Sequence, residues 1–278
     1  MKRLLVVVHL TLHEAMRRRV LLAALLGGLA FLILYGVGFH FIARDVGRNA
    51  RMTLIEKRVA LNAITLAGLY AVNLLAMMSA VLLPVDTLSG EIASGSMQAL
   101  AAKPVRRVEI LLGKWLAYVL VVAGYLAGMA GGVLLVARAI GHFTPPGITG
   151  GIPLMLVEVV LLVSVSIAGG TRLSTVTNGM MAFGLYGLAF IGNWVEQIGT
   201  YVDNQAARDV GTVASLLMPA EALWQRAAWM MQPALMRDLR VTPFSPASVP
   251  SPAMVWWAAA YTLVVVIIAA RSFAKRGL

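Results

Sequence analysis

The chain has 278 residues, 60% hydrophobic and 13% charged, with a mean hydropathy of +0.83 and a formal net charge of +11. That balance lies outside the range of soluble domains and points to a membrane protein. There is no cysteine, which excludes disulfides and thiolate metal sites.

Residues 1–19 are interrupted by Lys2, Arg3, His9, His13, Glu14 and three consecutive arginines, Arg17, Arg18 and Arg19, so no cleavable signal peptide is expected. Leu5, Val8, Leu12 and Met16 recur at spacings of three and four, with Lys2, His9, His13 and Arg17 on another face. The spacing predicts an interfacial helix over 1–19. His9 and His13 stand one turn apart, but a third ligand and the HExxH order are absent, so solvated or headgroup-facing histidines are expected and no metal.

Four uncharged runs follow, 20–43, 59–85, 115–137 and 173–195, each at least 23 residues long. About 20 apolar residues cover the roughly 30 Å hydrocarbon core, so each can cross it. Residues 151–171 and 253–270 add two further spans, the first carrying Glu158. Strands are excluded, because nothing alternates like a barrel. The expectation is an all-α polytopic membrane protein: one transmembrane domain over 1–278, six helices and a long outer loop, 196–252.

With both termini inside, the inner segments hold 13 of the 23 Lys and Arg, close to helix ends. The positive-inside rule thus accounts for the charge, without nucleic acid. Pro84 is expected to kink or end the second span. Gly124, Gly128 and Gly132 form a small-residue stripe on the third, for packing within the chain or between copies. In the outer loop, Pro219 opens a predicted helix with Leu223, Trp224, Ala227, Ala228 and Met231 on one side and Glu221, Gln225 and Arg226 on the other. That pattern predicts an amphipathic helix lying on the outer leaflet.

Chemistry-bearing motifs are scarce. The Gly113-Lys114 pair lacks the upstream glycine of a nucleotide-binding loop, and Trp115 follows it instead of Ser or Thr. There is no GxSxG elbow and no metal-ligand cluster. No enzymatic activity and no cofactor are therefore expected on this chain. Glu158 is the one charge inside a span; it is read as a buried partner for Arg138 or as a substrate or proton site.

The remaining feature is residues 90–114, GEIASGSMQALAAKPVRRVEILLGK, a polar and basic run between two spans. It resembles the corresponding run of ABC transporter permeases of the type-2 exporter class, especially the branch linked to multicopper-enzyme and nitrous-oxide-reductase maturation. The likeness rests on Glu91, Gly95-Ser96, Pro104-Val105 with Arg107, and Gly113-Lys114. Glu14 with Arg17 and Arg18 is similar to the family's amino-terminal helix. Many members carry a second acid two residues after the first; this chain has Ala93.

The resemblance implies an inner-membrane permease subunit of an exporter. Residues 89–110 would be its cytoplasmic coupling segment, with Glu91, Gly95, Ser96, Met97 and Leu100 seated in a groove of a separate ATPase that binds ATP and Mg. Pro104 would end that element, and Arg106 and Arg107 would meet headgroups or acidic ATPase residues. A second permease chain, identical or related, is implied as partner. The competing expectation is a gradient-driven transporter with Glu158 as ion or proton site.

Overall fold

The computed structural model describes residues 2–95, 106–239, 246 and 248–276, and among these are eleven helices and no strand. Helix α1 (Lys2–Met16) turns at Arg17 and Arg18 into α2 (Arg19–Arg48), which crosses to the opposite end of the bundle. There Thr53 caps α3 (Leu54–Leu82) through a reciprocal pair: Glu56 N–H donates to Thr53 Oγ1 at 3.2 Å, and Thr53 N–H to Glu56 Oε2 at 2.7 Å. Pro84 follows the end of α3, as its missing N–H requires, and the chain then forms the short α4 (Ser89–Ala93).

Helix α5 (Arg107–Gly141) runs parallel to α2, because Gly28 lies against Tyr125 and Met129, Gly132 against Leu32, and Gly141 against Phe39. Helix α6 (Ile148–Gly170) returns, and Ser174 caps α7 (Thr175–Tyr201). Helices α8 (Gln205–Leu217), α9 (Ala220–Met230) and α10 (Ala234–Leu239) occupy the region expected as an outer loop, and α11 (Pro252–Ala274) closes the chain with Pro at its start.

Five helices, α2, α3, α5, α6 and α11, are long and apolar enough to cross a membrane. Helix α7 has 27 residues, but Gly, Asn, Thr and Tyr dilute its hydropathy. The centre belongs to α3 and α6, where 61% and 67% of the most apolar window is buried, against 11% in α2 and 17% in α11. The outer helices turn rows of Leu, Ile and Val outward, including Leu22, Leu26, Leu29, Ile33, Leu263 and Ile268. A surface this apolar is stable against lipid and not against water.

The predicted face of α1 is rotated. Val7, Val8, Thr11 and Ala15 are the buried positions, while Leu5 and Met16 are exposed. The small side chains and the facing Gly113 allow closer approach on that side than the larger Leu5 and Met16 would. The glycine stripe of α5 also divides. Among the described residues, nothing lies within 4 Å of where a Cβ on Gly124 or Gly128 would stand, whereas Gly132 receives Leu32.

The largest departure concerns α9, expected on the membrane surface. Its supposed apolar side is buried, and so are Glu221 and Gln225. Helix α8 folds back along α7 in an antiparallel hairpin made possible by glycines: a Cβ on Gly211 would lie 2.7 Å from Gly192 O, and one on Gly192 2.2 Å from Ala214 Cβ. Met218, Pro219 and Ala220 then turn within the protein interior, and Trp257 Nε1 donates to the free carbonyl of Leu216 at 3.0 Å. The irregular backbone of Met218, Pro219 and Ala220 is tolerated because protein buries it. Helix α9 climbs back along α6, with Trp224 beside Tyr70 of α3 at a ring separation of 5.3 Å, and Met230 and Met231 against Gly147, Gly150 and Gly151. Asn62 Nδ2 fastens its end by donating to Met231 O at 3.0 Å. The polar side of α9 therefore meets polar groups of α7 instead of headgroups.

Candidate functional site

The end of the bundle that carries α1 gathers most of the charged motif residues into one network. Arg18, at the turn between α1 and α2, pairs with Glu14 of α1 and with Asp86 in the break after α3. Its guanidinium lies 6.0 Å from the ring centroid of Tyr118 on α5, and the Tyr118 hydroxyl bonds to Thr87 at 2.5 Å. One planar cation thus joins three elements, a task suited to the fixed fork of Arg. Arg18, Arg19, Asp86 and Thr175 also border a surface cleft of about 370 Å³ between the starts of α2 and α7 and the end of α3.

One layer further in, Lys114 of α5 forms an ion pair with Glu91 of α4. The lysine is 3% exposed and the glutamate 20%, so α4 is held by a charge that has almost no access to water. Such a pair adds little net stability when intact, but removing one partner leaves a buried charge uncompensated. Ser89 at the start of α4 meets Thr175 of α7 at 2.9 Å. Asn178 of α7 donates to Val85 O at 3.0 Å and to Ser166 O of α6 at 2.8 Å. Residues 85–91 are therefore fixed to α5, α6 and α7 together.

Immediately before Lys114, Gly113 permits α1 to lie on α5: a Cβ there would be 2.7 Å from Val7 Cβ. The two residues of the Gly-Lys motif thus have separate tasks, one seating α1 and the other holding α4.

The other motif positions divide as follows. Gly95 adopts φ +76, a left-handed conformation natural to glycine, directly after α4. Arg106 is exposed, and its backbone N–H donates to Glu109 Oε2 at 3.0 Å at the start of α5. Arg107 is half-buried, and through Nη1 its guanidinium donates to the carbonyls of Ala274 and Arg276 at the end of α11. Arg276 in turn reaches Thr171 O, and Arg172 Nε donates to Ser272 Oγ at 2.7 Å, so the α6–α7 turn and the end of α11 are tied together. Ser96, Met97, Leu100 and Pro104 lie outside the described residues. Arg17, in the turn after α1, is exposed, as are His9 and His13 on α1, whose rings stand 4.4 Å apart.

Arg138 and Glu158 do not meet. Arg138 is exposed near the end of α5, whereas Glu158 is 1% exposed and its Oε1 accepts from Asn73 Nδ2 of α3 at 3.2 Å. Its electrostatic neighbour is Glu221 of α9, a second buried carboxylate. The expectation of a surface helix hid Glu221, since sequence alone does not show that α9 returns into the bundle.

The sequence signals missed at the α1 end are Asp86 and Thr87, directly after the Pro84 break. Each is an unremarkable polar residue until the fold places it beside the Glu91 and Lys114 pair.

No curated protein matches the chain. A family model described as ABC-2 family transporter protein matches residues 6–278. That range takes in most of α1 and its arginine turn, the Glu91 and Lys114 pair, the α7–α8 hairpin and the buried α9. With almost the whole length matched and several apolar helices able to cross a bilayer, the chain belongs to the ABC-2 family of transporter proteins.

Proposed function

We propose that this permease is driven by a separate cytoplasmic ATPase docked at the α1 end, and that the Glu91 and Lys114 pair transmits the push. The observation that carries this reading is the burial of Lys114 beneath α4. A load applied to α4 from outside moves an ion pair that is itself part of α5, and through Ser89 and Asn178 it reaches α7 and α6. A segment that merely linked two spans would need no such anchorage.

The basic ends of α1, α5 and α11 favour the cytoplasm for this side, and α7 then serves as the sixth crossing despite its diluted hydropathy. The likeness of the 90–114 run to the maturation-type branch supports export across an inner membrane, with ATP and Mg held by the partner. Gly124 and Gly128, open on α5, suit close approach of a second permease chain. Binding of ATP by the partner would act as any ligand does on a two-state element, by favouring one bundle arrangement through unequal contacts.

The test is a photo-reactive residue at Ala93, exposed at the end of α4, in the full chain in its native membrane. The reading requires an ATP-binding subunit as the main adduct, with a yield that changes between ATP-bound and ATP-free states. Adducts only with lipid would refute it.

A further inference from the structure

At the middle of the bundle, away from the α1 end, two carboxylates face a region without a described counter-cation. Glu158 of α6 and Glu221 of α9 are 1% and 3% exposed. Glu221 accepts from the Tyr186 hydroxyl at 3.2 Å and from Asn193 Nδ2 at 3.4 Å. Glu158 accepts from Asn73 through Oε1 only, and its Oε2 is buried with no hydrogen-bond partner.

Among the described residues, the titratable groups in electrostatic reach of the pair are the two acids themselves, Tyr70 of α3 and Tyr186 of α7. The basic residues of the surrounding helices point elsewhere. Arg226 of α9 donates to Pro250 O at 2.6 Å, Arg208 of α8 pairs with Asp203, and Lys57 of α3 donates to Gly47 O at 3.0 Å. Lys114 is engaged by Glu91, and Arg58, Arg138 and Arg271 are exposed. Neither α6 nor α7 contains a Lys or Arg.

Two neighbouring anions in a low-dielectric interior repel each other and lack the hydration that would offset the repulsion. The orphaned oxygen of Glu158 is the place where a proton removes both penalties. The same pair in contact with water would ionise. Helix α9 separates these two conditions, because it carries Glu221 on an 11-residue segment bounded by the Pro219 break and the turn at Gln232 and Pro233.

We propose that Glu158 and Glu221 form a proton-binding site in the membrane interior, filled while α9 is seated against α6 and α7 and emptied when α9 lifts. On lifting, the carboxyl O–H bond breaks and the proton passes to water entering beside α9, leaving two hydrated carboxylates. The seated arrangement holds one more proton than the lifted one. Low pH therefore favours the seated form, and the seated form loses ground as pH rises through its titration. The site stands apart from the ATPase-facing end and does not depend on docking there.

The absence of native cysteine makes the test clean. In the purified full chain in lipid nanodiscs, Ala227→Cys reports lifting of α9, and the exposed Ala206→Cys corrects for the rise of thiolate reactivity with pH. Labelling by a charged maleimide is measured between about pH 6 and about pH 9. The corrected Ala227→Cys rate should climb about tenfold per pH unit within the titration range, as one proton demands. In Glu158→Gln/Glu221→Gln, whose amides imitate the protonated acids, the corrected rate should be low and flat. A flat wild-type profile, or an equal climb in the double variant, overturns the proposal. Infrared spectroscopy of the unmutated chain supplies a measurement free of folding defects. A protonated carboxyl band should persist at about pH 7, where ordinary carboxylates are ionised. Its absence overturns the proposal however the variants behave.

Discussion

Gly113 of α5 and Val7 of α1 are packed so closely that a Cβ on the glycine would lie 2.7 Å from the valine Cβ. The contact sets the height of α1 above α5, and through the next residue, Lys114, it is coupled to the position of α4. Overpacking here should cost about 1–3 kcal/mol, because neither helix has a flexible side chain to yield. Gly113→Val should therefore raise hydrogen exchange along α1 while leaving α3 and α6 protected. Gly113→Ala combined with Val7→Gly, which removes the clashing Cβ, should restore part of the protection.

The Glu91 and Lys114 pair predicts an asymmetric pattern. Glu91→Gln strands an ammonium that is 3% exposed, and the thermal midpoint of the purified chain should fall by the equivalent of roughly 3 kcal/mol. Lys114→Met should cost less, since Glu91 is 20% exposed and keeps part of its hydration. The double variant Glu91→Gln/Lys114→Met should be more stable than Glu91→Gln alone. Additive losses would show that the pair is not the reason for the burial.

Arg18 is the only described link between Glu14 and Asp86. Arg18→Lys keeps the charge but not the fork, so it should hold one acid and release the other; Arg18→Ala releases both. With both acids kept, cysteines introduced in turn at the exposed His13, next to Glu14, and Leu82, one turn before Asp86, and followed by spin-label mobility should show one loosened position in Arg18→Lys and two in Arg18→Ala. Identical mobility in both variants would remove Arg18 from the network.

The α7–α8 hairpin depends on Gly211, where a Cβ would lie 2.3 Å from Glu196 Cβ and 2.7 Å from Gly192 O. Gly211→Val should separate the two helices and unseat α9. Trp224 and Trp257 sense the change: fluorescence should shift to longer wavelength as their surroundings become wetter. An unchanged spectrum would mean that the hairpin tolerates widening.

The long apolar runs made the crossing helices legible, since runs such as 20–43 and 115–137 admit no other reading in a chain this hydrophobic. The Pro84 break and the helix opening at Pro219 were equally legible, because proline acts locally. The location of α9 was not. Its apolar residues Leu223, Trp224, Ala227, Ala228 and Met231 suit a lipid face or a protein groove equally well, and only the close glycines of α7 and α8 decide between them. Pairings followed the same rule. Glu158 was visible as an intramembrane acid, but its neighbour on α9 lies 63 positions away in sequence (221 − 158), beyond any local pattern. At the α1 end the sequence marked Glu91, Gly113 and Lys114 and left Asp86 and Thr87 unmarked, because ordinary polar residues acquire meaning only from what the fold brings beside them.

The central claim is that α4 receives the ATPase. Ala93 is exposed on α4 and contributes to none of the bonds that hold it, so Ala93→Arg alters the outer surface while leaving the Glu91 and Lys114 pair intact. The decisive measurement is the amount of ATP-binding subunit that co-purifies with the full chain from native membranes, wild type against Ala93→Arg, at equal permease yield and thermal midpoint. The account predicts a near-stoichiometric subunit with the wild type and at least about a tenfold loss with the variant, the effect expected of a bulky charge forced into a packed interface. Equal recovery from both, or no ATP-binding subunit with either, would contradict it.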